Sequence, residues 1–177
     1  MITDKEFLEK ELEIGVGFHN PIFLNLATST AEQLDIEFKT VLDYGAGTGV
    51  YADAFHKKGY DVSVYEIWKA HTDYIKKNAP HLKIVKKPIT TDLMLFIEVA
   101  EHMTDKELDS LFSKIKPRYI LFSSTSQKTD YDAEWGHINV KPQDEWVTYF
   151  DKLNYNLIKN YGCPTSWTKL FQYDKAI

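Results

Sequence analysis

The chain has a single cysteine, Cys163, among 177 residues. One thiol excludes an intramolecular disulfide and a cysteine-based zinc site, and it fits a reducing, cytoplasmic setting. No apolar run approaches the length of a membrane span, so no membrane partner is expected. The opening Met1-Ile2-Thr3-Asp4-Lys5-Glu6 is polar and acidic, unlike a secretory leader. There is no excess of positive charge. The net charge of -5 argues against a chain that binds polyanions as a whole. Lys76-Lys77, Lys83 and Lys86-Lys87 form the only dense basic stretch, which reads as a solvated helix end and loop. Repeats, low-complexity tracts and linkers are also lacking.

What is present is enough for a core. Hydrophobic residues make up 44% of the chain and aromatics 14%, an amount suited to one domain. The pattern alternates strand and helix, which predicts an α/β fold with a mostly parallel sheet. Helices are expected at residues 4–12, 21–34 (opened by Asn20-Pro21), 50–58 (stopped by Gly59), 68–78, 104–115 and 143–153. Thr104-Asp105-Lys106-Glu107 reads as a capping box. Strands are expected at 39–43, 61–66, 82–85, 92–97 and 118–123, with 92–97 fully buried. Residues 124–139 read as polar loop, and 154–160 with 167–173 as a closing antiparallel hairpin.

The strongest motif follows the first strand. Asp43-Tyr44-Gly45-Ala46-Gly47-Thr48-Gly49 carries three alternate glycines between a buried strand and a helix. A nucleoside lying against the backbone at a strand's carboxyl end needs that absence of side chains. A dinucleotide loop wants Gly or Ala at position 50, which here is Val50. Glu66 ends the second strand about twenty residues on, where paired acceptors suit the two hydroxyls of a ribose. It also suits the capping of the helix that follows. Trp68 could flank a base or fill the core.

With Leu42, the loop resembles motif I of the class I S-adenosylmethionine-dependent methyltransferases. That resemblance implies a Rossmann-like domain with a seven-stranded, mostly parallel sheet, an antiparallel last strand and helices on both faces. It implies one domain over 1–177, with 1–37 as a helical lid and 38–177 as the cofactor-binding core. The implied S-adenosylmethionine contacts are Asp43, Gly45, Ala46, Gly47, Gly49, Glu66, Ile67 and Glu98. One departure stands out. Lys86-Lys87-Pro88-Ile89 occupies the place where the family often sets an acid near the adenine amine.

The second cluster is Glu98-Val99-Ala100-Glu101-His102, directly after the buried fourth strand. If it turns helically, Glu98, Glu101 and His102 fall on one face. Metal ligation, general-base work and a plain acidic helix start all suit such a group. Its E-x-x-E-H spacing is similar to that of the ubiquinone-biosynthesis O-methyltransferases and the small-RNA terminal 2′-O-methyltransferases. That similarity implies a divalent metal held by Glu98, Glu101, His102 and a later histidine, for which His137 is the candidate. The same four are the catalytic candidates. The GHxN element Gly136-His137-Ile138-Asn139 resembles one in small methyltransferase-like proteins, some phage-encoded.

A metal suits a hydroxyl or catecholate acceptor, so O-directed transfer is expected, and the missing Asn/Asp-Pro-Pro-Tyr/Phe signature after the fourth strand argues against amino-directed DNA methylation. The acceptor would be a hydroxyl on a small molecule or an RNA end, the acidic charge leaning to the former. A different class of reading is a catalytically inactive binding or structural module of a larger assembly. His56, His71 and His81 read as solvated surface residues. His19 and Asn20 read as candidates for pocket lining, and Tyr131, Trp135, Trp146 and Tyr149 as acceptor pocket or packing.

Overall fold

The computed structural model describes residues 2–174. Seven strands form one sheet in the order β3 (Lys83–Ile84), β2 (Asp61–Tyr65), β1 (Thr40–Tyr44), β4 (Leu93–Ile97), β5 (Tyr119–Ser123), β7 (Thr168–Tyr173), β6 (Tyr155–Tyr161). The chain groups into two compact units, one up to Pro88 and one from Ile89 onward. Among the described residues no helix is long and apolar enough to cross a membrane.

The first unit holds α1 (Asp4–Glu13), α2 (Pro21–Glu32), β1 (Thr40–Tyr44), α3 (Val50–Lys57), β2 (Asp61–Tyr65), α4 (Lys69–Asn78) and β3 (Lys83–Ile84). β1 and β2 are parallel, as are β2 and β3. Helix α1 starts in a capping box between Thr3 and Glu6. Helix α2 starts where Asn20 Oδ1 accepts from Ile22 N at 3.0 Å, with Pro21 in its first turn. Asn20 is thereby a capping residue, and its amide also donates to Gly15 O at 2.8 Å. His19 is exposed. Fully buried Val41, Leu42, Phe55, Val64 and Ile75 pack the centre of this unit.

The second unit holds β4 (Leu93–Ile97), a 3-10 turn (Ala100–His102), α5 (Asp105–Lys114), β5 (Tyr119–Ser123), α6 (Asp132–Trp135), α7 (Gln143–Lys152), β6 (Tyr155–Tyr161) and β7 (Thr168–Tyr173). β4 and β5 are parallel, while β7 runs antiparallel to β5 and β6. The expected antiparallel last strand is therefore present. Leu93 to Phe96 have no exposed surface, as a central strand requires. The capping box forms, with Thr104 accepting from Glu107 N and Glu107 accepting from Thr104 N. The expected loop at 124–139 contains the extra helix α6, four residues long and closed by Gly136 at φ 71°. Trp146 is core, 1% exposed, with its ring 5.2 Å from that of Phe122. Tyr149 donates to Asp109 at 3.0 Å, and Tyr131 is 67% exposed.

Candidate functional site

In the first unit the glycine loop leaves β1 through three left-handed residues, Gly45 (φ 67°), Gly47 (φ 52°) and Gly49 (φ 79°). Gly45 N donates to Tyr65 O at 2.8 Å, which ties the loop to the end of β2. Gly49 is the N-cap of α3 and has no side chain to offer its free N–H groups. Asp43 supplies it instead, Oδ2 accepting from Ala52 N at 3.1 Å. Burial pushes the Asp43 carboxyl up to about 7, against the bond from Ala52, and the charge of Glu66 adds to the rise. Asp43 is 4% exposed, so it shapes the loop from beneath.

Glu66 links the glycine loop to the segment that leads into α4. Its Oε2 accepts from Gly47 N at 3.0 Å, and its Oε1 accepts from Trp68 N at 2.8 Å at the start of α4. Each carboxylate oxygen has a second lone pair for a ligand hydroxyl. Ile67 beside it is 73% exposed, whereas Ala46 is buried. The Trp68 ring packs edge-on against Phe7 at 4.8 Å and tilts on His71 at 5.3 Å, which places it in packing.

The expected surface role of His71 is overturned. It is 1% exposed, because α1 covers it, and its Nε2 lies 2.7 Å from Glu11 Oε2. His81 is 40% exposed and bonds Asp53 at 2.9 Å. A β-carbon on Gly47 would sit 3.4 Å from Glu11 Oε1 and meet nothing else of this unit within 4 Å. That bare face is what a nucleoside needs, so the residues present fit an adenosyl ligand.

The second unit assembles the acid–histidine cluster, though not on one helical face. Glu98 adopts φ 52° and breaks the turn, so helical winding starts only at Ala100. Its carboxylate accepts from Ser123 Oγ, from Thr125 Oγ1 at 3.1 Å and from Trp167 Nε1 at 3.4 Å. Glu101 has no exposed surface and accepts from Ser124 Oγ at 2.9 Å and Thr125 N at 3.0 Å. Thr125 thus bridges the two acids. Burial, then the charge of Glu101, holds the Glu98 carboxyl well above its usual range.

His102 Nδ1 lies 3.3 Å from Gly136 O, and His137 Nδ1 lies 3.0 Å from Asp132 Oδ1. A carbonyl or carboxylate partner at Nδ1 suits a tautomer that ligates through Nε2. The rings meet edge to face, 4.9 Å between centroids. One donor atom each from Glu101, His102 and His137 lies within 4.8 Å of the others. This donor set fits a divalent ion of intermediate softness. Glu98 stands outside that trio. The sequence did not point to Glu11, Ser123, Ser124, Thr125, Asp132 or Trp167. Of these, only the Asp132-to-His137 spacing was open to reading.

The family model described as "Methyltransferase domain" matches residues 22–163. No curated protein sequence matches the chain significantly. Among solved structures, DesVI of Streptomyces venezuelae superposes with a TM-score of 0.67 at 13% identity, covering 98% of this chain and 100% of that one. The mitomycin 7-O-methyltransferase MmcR gives 0.64 at 13%, covering 97% of this chain. The chain spans only 60% of the length of MmcR. Magnesium protoporphyrin IX methyltransferase (ChlM) from Synechocystis, with bound S-adenosylmethionine, gives 0.64 at 13% identity, covering 93% and 82%. At such identities the likeness is one of fold. With the family match across most of its length, the chain belongs to the methyltransferase domain family.

Proposed function

We propose that the protein transfers a methyl group to an oxygen, on a small molecule in preference to an RNA end. The observation that carries this reading is the Glu98–Thr125–Glu101 linkage in the same unit as two imidazoles oriented through their Nδ1 atoms. A hydroxyl is a poor nucleophile until its proton is taken, so an oxygen acceptor needs such groups more than an amine does. S-adenosylmethionine supplies the methyl on a sulfonium, an electrophile that departs as a neutral thioether. The glycine loop and Glu66 would hold it, with Asp43 fastening the loop to α3, Ala46 and Ile67 bordering it and residues 1–37 as its lid. A divalent ion on Glu101, His102 and His137 would supply Lewis acidity to the acceptor oxygen. Glu98, whose carboxyl is pushed up to about 7 by burial and by the charge of Glu101, is suited to take up and release a proton near neutral pH. Its place apart from the trio favours a role in proton handling over ligation. The net charge of -5 supports the small acceptor, and the single cysteine a reducing compartment.

The test is calorimetry with S-adenosylmethionine and S-adenosylhomocysteine, followed by radiolabelled methyl transfer to panels of small hydroxylated compounds and RNA 3′ ends. Binding with transfer to a small hydroxylated compound is expected. Transfer confined to RNA moves the acceptor class, binding without any transfer marks an inactive module, and failure to bind either ligand defeats the reading.

A further inference from the structure

Glu11 was not among the residues picked out by motif, yet it is the atom neighbour of the bare glycine. Its Oε1 lies 3.4 Å from the position a Gly47 β-carbon would take. On the same residue, Gly47 N donates to Glu66 Oε2 at 3.0 Å. Two carboxylates from different elements therefore bracket one side-chain-free position. Such an arrangement raises a negative potential that a cation relieves and a neutral ligand does not.

The geometry is built rather than casual. Glu11 is 16% exposed and is held by His71 Nε2 at 2.7 Å. His71 is itself buried and has no hydrogen-bond partner at Nδ1. With its proton on Nε2 the ring donates to Glu11. Helix α1 is anchored beside this contact, since Asp4 Oδ2 accepts from Ala70 N at 3.1 Å and Phe7 packs on Trp68.

Resting on the donor-site reading above, we propose that Glu11 is a cofactor-contacting, specificity-determining residue, with His71 as its positioning residue. It selects the cationic sulfonium donor over the neutral thioether product. S-adenosylmethionine carries one positive charge more than S-adenosylhomocysteine, and that charge sits one bond from the ribose methylene. An acid sharing Gly47 with the ribose-binding Glu66 is well placed to sense it. The product loses this attraction once the methyl has left, which favours its release.

The experiment is titration calorimetry of the full chain with each ligand, in the wild type, Glu11→Gln and His71→Ala. Gln keeps the size of Glu11 and an acceptor for His71. Glu11→Gln should weaken S-adenosylmethionine about tenfold and S-adenosylhomocysteine less than twofold. His71→Ala should lower the ratio of the two affinities in the same direction by a smaller factor. Equal change for both ligands, or none, in Glu11→Gln overturns the role of Glu11 while leaving the donor site standing. Absence of binding by the wild type overturns the donor site, and this role with it.

Discussion

His137 Nδ1 sits 3.0 Å from Asp132 Oδ1, across the short helix α6. The pair fixes the ring of His137, which shares a trio of donor atoms with Glu101 and His102. If that trio holds a divalent ion, Asp132→Asn should lower affinity for Mn2+ by roughly 10–100-fold although Asp132 is no ligand. Glu101→Ala combined with His102→Ala should abolish binding. Electron paramagnetic resonance of free Mn2+ measures both, and undiminished affinity in the double variant would end the metal reading.

Glu66 offers a second test. Its removal takes an acceptor from Gly47 N and from Trp68 N as well as from the ligand. Glu66→Ala should raise the Kd for S-adenosylmethionine by roughly 10–100-fold, about 1.4–2.7 kcal/mol. A change under twofold by calorimetry rules out a ribose contact.

Gly49 is a stability position. It holds φ 79°, and a β-carbon there would come 2.8 Å from Ile75 Cγ1. The left-handed backbone costs an ordinary residue ~1–2 kcal/mol, and overpacking adds ~1–3 kcal/mol. Gly49→Ala should therefore lower the midpoint of thermal unfolding by about 5–15 °C. An unchanged midpoint contradicts the packing.

Asp43 gives the protein a pH signature. Its carboxyl titrates at about 7 when folded, because it is buried. In the unfolded chain an aspartate titrates near ~3.9. Below ~4 both states are protonated and burial carries no charge penalty. As pH rises to 7 the unfolded state ionises first, so stability falls, by a loss on the order of 2–4 kcal/mol complete above pH 7. Asp43→Asn, neutral throughout, escapes that loss. Its melting temperature should exceed the wild type's by a margin that widens between pH 5 and pH 8, as scanning calorimetry at each pH can show. A constant margin contradicts the burial of a titrating group.

Much of this was legible because it is local. The turn chemistry of Gly45, Gly47 and Gly49 lies within five residues, and Thr104 with Glu107 announces its helix by spacing alone. The continuous apolar run Leu93 to Phe96 reads directly as a central strand. Contacts made by docking were not legible. Glu11 meets His71 only because α1 lies on α4, sixty positions away in the chain. His71 looked like a surface residue for the same reason: periodicity marks the helix but not what covers it. Glu98 misled by its spacing, since E-x-x-E-H suits a helical face while the backbone there turns left-handed to reach Ser123 and Thr125. Helix α6 is too short to leave a periodic trace.

The bond from Ala52 to Asp43 joins two points nine residues apart, one on each side of the glycine loop. The loop is thus a closed buckle: strand and helix are clasped at its base, and the eight residues between form the band. The clasp seats α3 independently of what lies on the open side of the cradle, while the three left-handed glycines of the band tie its shape to their own backbone.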